Sequence, residues 1–420
     1  MTSAIAYPGI SLVQTRSARA RSAGILGTLT LGYVALLPYQ FETTTGMNFA
    51  PSDCFLVLAL LLAVGQLKYV KPAWTIWHYA ILLTFAAGSL TAALRFGGLS
   101  RYELVNKFAG LFLPFLSYAA ITTVVTEWED VRRILRVFVI SVAIENVVAV
   151  LAFVVAYFTG QTNPFVRYDG LRLSGMLIDP NAYGGLLVAA FVICEGASWG
   201  RRPLLRGLLL WFTRVTLGLG ILFSFSRSAW IALGMALLVV AMLRIVVALR
   251  LVFLFAIGAP CLILLLGPKF VPIFERMARR PDQVRERFDL INIAVRAFLE
   301  HPIIGGGLGS FRLSAGEVAH NTAMWFLADF GLGGLLVLAG FLGWFLRKSW
   351  LAYNLAPVAE RPLALALLLA HVAMIGLAMG IEAFYQRHWW LVFALIAASY
   401  SLAIRPAGSQ RREYRGLHSC

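Results

Sequence analysis

Twelve apolar stretches, each close to the length that carries a helix across a bilayer, run through the chain and leave little room for any other fold. They lie at about 24–41, 51–67, 73–94, 104–125, 135–158, 181–198, 207–225, 228–246, 249–267, 321–346, 362–381 and 388–404. A hydrocarbon core of about 30 Å is spanned by about 20 mostly apolar residues in a helix. Inside it every backbone N–H and C=O must be satisfied within the chain, which leaves helices or closed barrels. The short alternating strands that build a barrel are not visible. The expectation is an all-α, polytopic membrane protein with about twelve spanning helices, a single integral membrane domain over residues 1–420.

Composition agrees. Only 13% of the residues are charged and 60% are hydrophobic, whereas a soluble domain carries about a quarter of its residues as charges; a soluble enzyme is disfavoured. The net charge of +16 would suggest nucleic acid in a soluble protein. Here cytoplasmic loops that collect Lys and Arg beside anionic headgroups account for it, and no nucleic-acid partner is expected. Cys54, Cys194, Cys261 and Cys420 are scattered and form no zinc or disulfide pattern. Arg16, Arg19 and Arg21 precede the first stretch as in a signal peptide. No small-residue cleavage site follows and further spans come at once, so this stretch reads as an uncleaved first span.

The short loops give the orientation. Arg16, Arg19, Arg21, Lys68, Lys71, Arg132, Arg133, Arg136, Arg201, Arg202, Arg206, Arg244, Arg250, Arg347, Lys348, Arg361, Arg405, Arg411, Arg412 and Arg415 all fall on one side of a twelve-span topology. By the positive-inside rule that side is cytoplasmic, with both termini. The opposite side holds the only long loops, 159–180 and 268–320, so chemistry is expected there. No cytoplasmic segment could form a nucleotide-binding domain and no G-x-x-x-x-G-K-[ST] occurs, which excludes ATP-driven transport by this chain alone.

Within the long loop, RERFDLINIAVRAFLE (285–300) places Phe288, Ile291, Val295, Phe298 and Leu299 on one stripe. This predicts an amphipathic helix lying on the outer leaflet or capping the bundle, with Arg287 near its start. The run HPIIGGGLGSF (301–311) follows, its glycines permitting a tight turn or close approach by a ligand; it lacks the residues of a phosphate-binding loop. His320-Asn321 stands where the chain re-enters the membrane. His320 is either a hydrogen-bonded interfacial residue or, with its near-neutral pKa, a general base.

Arg227 lies in SFSRSAW (224–230), a polar break so short that its flanking helices must form a hairpin. It is either a snorkelling residue or part of an anion site, since a guanidinium grips phosphate oxygens with two parallel donors. In the other loop, Asp179-Pro180-Asn181 reads as an N-cap, and Arg172 has no evident structural role and is a candidate anion ligand. Outer carboxylates are isolated and no metal site is expected. Glu145, Glu195, Arg214, Glu382 and His371 lie in or near spans and are functional candidates by position alone.

The order RLSGMLIDPNAYGGLL (172–187), SFSRSAWIAL (224–233), RFDLINIAVRAFLEHPIIGGGLGSF (287–311) and HNTAMWFLADFGLGGLL (320–336) resembles the O-antigen ligase and polymerase superfamily of bacterial surface-polysaccharide assembly. The resemblance implies a GT-C-like glycosyltransferase bundle in the bacterial inner membrane with a periplasmic active site. Its donor would be a glycan on undecaprenyl diphosphate; its acceptor, lipid A-core or another lipid-linked repeat. By position, Arg227 and Arg287 resemble the family's pyrophosphate-binding arginines and His320 its loop-end histidine. Arg172 falls at the arginine of the pattern R-x-S-G-x-x-x-x-P-N, and Asn321 is expected to orient the acceptor. Neither cofactor nor metal is implied, and a chain-length regulator is a possible partner. The loop 268–320 is more compact than in many ligases, which leans towards a polymerase. The rival reading is a transporter or flippase of lipid-linked oligosaccharide, which would place charges at mid-membrane in pseudo-symmetric halves.

Overall fold

The computed structural model describes residues 24–42, 48–64, 73–161, 163–167, 172–267, 271, 275 and 281–405. Arg16, Arg19, Arg21, Lys68, Lys71, Cys420 and the tail arginines lie outside these residues, as does most of 268–280. The protein is 79% helical. In chain order the helices are α1 (Gly24–Ala35), α2 (Pro51–Val64), α3 (Ile76–Phe96), α4 (Glu103–Val124), α5 (Trp128–Thr159), α6 (Pro180–Ser198) and α7 (Gly207–Phe223). They continue with α8 (Arg227–Leu266), α9 (Pro281–Glu300), α10 (Ser310–Ala315), α11 (Thr322–Leu355), α12 (Arg361–Ala378) and α13 (Arg387–Ala403). Two antiparallel ladders sit in the loops: Phe41–Glu42 with Asn48–Phe49, and Val166–Arg167 with Arg172–Leu173, in which Arg167 faces Arg172.

Seven of the described helices are long and apolar enough to cross a membrane. Each of the twelve predicted stretches overlaps a helix, but the boundaries need correction. The eighth and ninth stretches form one helix, α8, bent at Arg244, whose φ of −152° and ψ of 71° leave the helical region. The predicted 321–346 runs on to Leu355 and is broken near its start at Gly331, with φ 64° and ψ −163°. α5 is 32 residues long, about 48 Å at 1.5 Å per residue. That exceeds the hydrocarbon thickness, so its first turns project beyond it.

The core lies on α6, α12 and α13, which are buried nearly all round, whereas α3 and the first arm of α8 expose apolar faces suited to lipid. Small residues permit the close approach. A Cβ at Gly196 of α6 would stand 3.0 Å from the Ala366 Cα, and one at Gly376 of α12 2.9 Å from the Ala232 Cα of α8. Backbones packed at that distance gain dispersion contact along the helix, the main source of association where lipid offers no hydrophobic drive. His371, a functional candidate by position, is a core residue: its Nδ1 accepts from the Trp389 indole at 3.1 Å and its Nε2 lies 3.1 Å from the Leu342 carbonyl.

The basic loops assigned to one side do gather at one end. Arg132 pairs with Glu360 at 2.7 Å and donates to the Arg202 carbonyl, Arg136 donates to the Leu204 carbonyl, and Arg405 to that of Thr126. Arg214 pairs with Glu195 at 2.7 Å and donates to Ser198, while Trp199 donates to the same Glu195 carboxylate. The opposite end carries the turn before α8, the α9–α10 loop, the start of α11 and the connection between α12 and α13.

Candidate active site

The site is assembled from four chain segments. The first is the approach to α6. Asp179 is its N-cap, accepting from the backbone N–H of Asn181 and Ala182, and Pro180 occupies the first turn, where its missing donor costs nothing. Capping is therefore what Asp179 does. Glu145 of α5 reaches up beneath this loop, accepting from the Met176 N–H at 2.8 Å and the Tyr183 hydroxyl at 2.7 Å. Arg172 is buried. Its Nε donates to the Ser224 carbonyl at 3.0 Å and its Nη2 to Asn181 Oδ1 at 2.8 Å. The structure thus supplies Arg172 with an internal role that its sequence position did not suggest: it ties the first segment to the second.

The second segment is the turn Ser224–Ser226 between α7 and α8, a hairpin as the spacing predicts. Ser226 Oγ accepts from the Ala229 N–H and so caps α8, while Ser224 Oγ accepts from the Ser226 N–H. Phe225, between them, has φ +46°. Arg227 is the first residue of α8 and half-buried. It stands at the positive end of a helix dipole, where unpaired N–H groups and the guanidinium both favour an anion.

The third segment is α9. It forms as predicted, but the apolar stripe is not the packed face. Phe288 and Leu299 are 62% and 68% exposed, while Leu290 and Ala294 are buried, and Arg287 lies one turn before Leu290 on that same inward side. Periodicity located the helix and misassigned its face, because in a membrane protein the more apolar side can be turned to lipid. The Arg287 guanidinium is held below the usual arginine range, first by burial and then by the positive charge of Arg227, with Asp179 offsetting part of this. Arg227, Arg287 and the α6 cap therefore share one neighbourhood.

The fourth segment joins His320-Asn321 to the connection after α12. His320 has φ +46°; with Phe225 it is one of only two non-glycine residues of positive φ among the described residues. Such backbone strain costs about 1–3 kcal/mol and collects at functional sites. Asn321 caps α11, its Oδ1 accepting from the Ala323 and Met324 N–H groups, and its Nδ2 donates to the Met379 carbonyl at 3.1 Å. Its polar atoms are thus engaged in holding the backbone. One residue on, Gly380 lies so close to α8 that a Cβ there would collide with the Ser228 hydroxyl. The 379–382 strand consequently touches both the residue after Arg227 and the residue after His320.

Glu382 and Lys107 complete this corner. Lys107 sits in the π-helical opening of α4, pairs with Glu382, and lies over the rings of Trp325 and Tyr385 at 4.4 and 5.0 Å. The sequence reading marked Glu382 and overlooked Lys107, although a lysine inside a predicted span is a signal in its own right. Beside them Arg312 pairs with Glu103 at 3.4 Å.

The glycine run 301–309 has a different fate. Its backbone enters the break of α11: Gly306 and Gly307 donate to the Ala328 and Asp329 carbonyls, and Leu332 and Gly333 donate to those of Pro302 and Ile303. The Asp329 carboxylate accepts from the Gly309 and Phe311 N–H groups, the Ser310 hydroxyl and the Trp325 indole, all at 2.8–3.0 Å. The close approach these glycines permit is to protein backbone.

Residues 212–339 match the O-antigen ligase family model. This segment contains Arg227, Arg287, the glycine run and His320-Asn321, and it bears out the resemblance to the O-antigen ligase and polymerase superfamily. A comparison with curated proteins finds no match.

Proposed function

We propose, on the premise that residues 212–339 are an O-antigen ligase segment, that this multi-pass membrane protein is a metal-independent inverting glycosyltransferase. It would move a glycan from undecaprenyl diphosphate to an acceptor hydroxyl at the periplasmic face of the bacterial inner membrane. The orientation is the twelve-span one with cytoplasmic termini. The observation that carries the reading is the pairing of Arg227 with Arg287: two like charges, one partly buried, brought close enough to disfavour each other. A diphosphate relieves that cost, and two guanidinium groups suit its oxygens.

In the reaction, the acceptor oxygen attacks the anomeric carbon as the bond from that carbon to the diphosphate oxygen breaks. His320 takes the acceptor proton, and undecaprenyl diphosphate leaves with its charge stabilised by Arg227 and Arg287. A single displacement inverts the anomeric centre. Arg172 and Asn321 act by holding the turns that present Arg227 and His320. The acceptor is the end of another lipid-linked repeat or lipid A-core, and a chain-length regulator would act in the first case.

The transporter reading asks for charges free to line a path at mid-membrane. Against it, Glu145, Glu195, Arg214 and Glu382 each have a partner inside the bundle. The decisive experiment is a deletion strain complemented with wild type or His320→Ala. Polymer left on its lipid carrier with bare core identifies a ligase, and single repeats on core identify a polymerase. Normal surface glycan in the deletion strain removes the proposal. Transfer by the purified protein should persist in chelator; loss that magnesium restores would contradict the arginine-only account.

A further inference from the structure

His320 is the candidate base, yet what distinguishes it structurally is its backbone. A left-handed histidine has to be held, and the segment after α12 holds it on both sides. The Ala319 N–H, entering His320, donates to Glu382 Oε1 at 3.0 Å. Leaving it, Asn321 is tied to Met379, the Thr322 hydroxyl donates to the Ile381 carbonyl at 2.9 Å, and the Ala383 N–H donates back to that hydroxyl at 2.9 Å. Three of these links join main chain to short neutral side chains. The fourth uses a buried carboxylate, which requires a counter-charge, and Lys107 supplies it to Glu382 Oε2. Lys107 is fixed in turn between two aromatic rings, and the Tyr385 hydroxyl donates to its carbonyl at 2.9 Å.

The other left-handed residue is treated in the same way. Phe225 follows Ser224, whose carbonyl is gripped by buried Arg172. In both places a buried charged side chain pins the peptide just before the strained residue, and in both a residue of the proposed site follows or is that residue.

We propose that Glu382, held by Lys107, is a positioning residue for His320: its carboxylate fixes the Ala319 peptide so that the imidazole is presented at the angle transfer requires. This rests on the transferase reading. It assigns a role in turnover to a pair that would otherwise be a structural staple between α4 and the loop before α13.

The two accounts ask different things of the side chain. A staple needs the negative charge; a clamp on Ala319 needs an acceptor oxygen at the right reach. Glu382→Gln keeps the reach and loses the charge, whereas Glu382→Asp keeps the charge, which the flexible lysine can follow, and falls one methylene short of Ala319. Steady-state transfer is measured with the full-length protein in lipid, an undecaprenyl-diphosphate-linked oligosaccharide as donor, and lipid A-core or the same lipid-linked repeat as acceptor. Glu382→Gln should keep kcat within about threefold of wild type and Glu382→Asp should lose about tenfold or more, with the donor KM unchanged in both, since displacement of a reacting group by about 1 Å costs up to about 100-fold. An aspartate variant as active as the glutamine variant overturns the proposal. His320→Ala in the same assay separates the readings: full transfer by it removes both the base and its clamp, whereas loss of transfer by it beside full activity of Glu382→Asp removes the clamp alone.

Discussion

Two polar regions lie at the same end of this bundle, and they treat charge in opposite ways. Around Asp329 a single buried carboxylate receives four hydrogen bonds from the glycine loop, α10 and α11. Around Arg287 a partly buried cation has another cation as neighbour. The first region is complete within the protein, and its polar groups are explained by folding. The second carries positive charge that folding alone does not reward, which is the physical mark of a site awaiting an anion.

The largest effect should come from breaking the complete region. Asp329→Ala leaves buried donors on Gly309, Ser310, Phe311 and Trp325 without their acceptor, and each such orphan costs about 1–3 kcal/mol with partial relaxation. The expected total is on the order of 3–5 kcal/mol, comparable to breaking a buried ion pair. The protein should lose its monodisperse peak in detergent and its cooperative melt. A variant that melts like wild type would show that the loop and α11 are held by something other than this carboxylate.

The incomplete region should respond in the reverse sense. Arg227→Ala and Arg287→Ala are each expected to lower transfer about 10²–10³-fold, the usual cost of removing one group that stabilises developing charge. Melting temperature should stay the same or rise, because one of two opposed charges is gone. Loss of fold without prior loss of transfer would mean that these arginines are structural and the contrast between the regions is false.

A smaller effect sharpens the contrast from the glycine side. Gly331 holds φ 64° and ψ −163°, and a Cβ there would stand 2.6 Å from the Ile303 carbonyl. Gly331→Ala should destabilise by about 1–3 kcal/mol, read as a lowered melting temperature, with kcat per folded molecule retained. A selective loss of kcat would instead place the break in α11 within the catalytic machinery.

Much of this was legible beforehand, and the gaps have identifiable causes. Apolar runs located the helices because bilayer thickness imposes their length. The two-residue gap between 246 and 249 was read as a turn, yet a helix can absorb a bend at a single residue, as α8 does at Arg244. Hydrophobic periodicity found α9 but placed its packed side wrongly, since lipid competes with protein for apolar faces. The glycine run signalled close approach correctly and was silent on what approaches. Arg172 looked unemployed because its partners, the Ser224 carbonyl and Asn181, are backbone or come from a loop that only the fold brings near. Arg227, Arg287 and His320 were visible through motif order, whereas Lys107 and Glu382 are 275 residues apart and no local pattern joins them.

The smallest expected effect tests the uncompensated charge without any reaction. A base whose pKa is lowered on folding has its charged form penalised in the folded state, and for Arg287 the penalty holds at every pH below the lowered value, which includes the whole physiological range. An anion that binds the folded state alone should offset it. Inorganic pyrophosphate at about ten times its Kd should stabilise wild type by about 1.4 kcal/mol, read as a rise in melting temperature, and high salt should weaken this by screening. Arg287→Ala should melt at or above the wild-type temperature without pyrophosphate and gain nothing from it. If wild type and variant gain equally, pyrophosphate is acting elsewhere on a basic surface, and the like-charged pair is not where diphosphate binds.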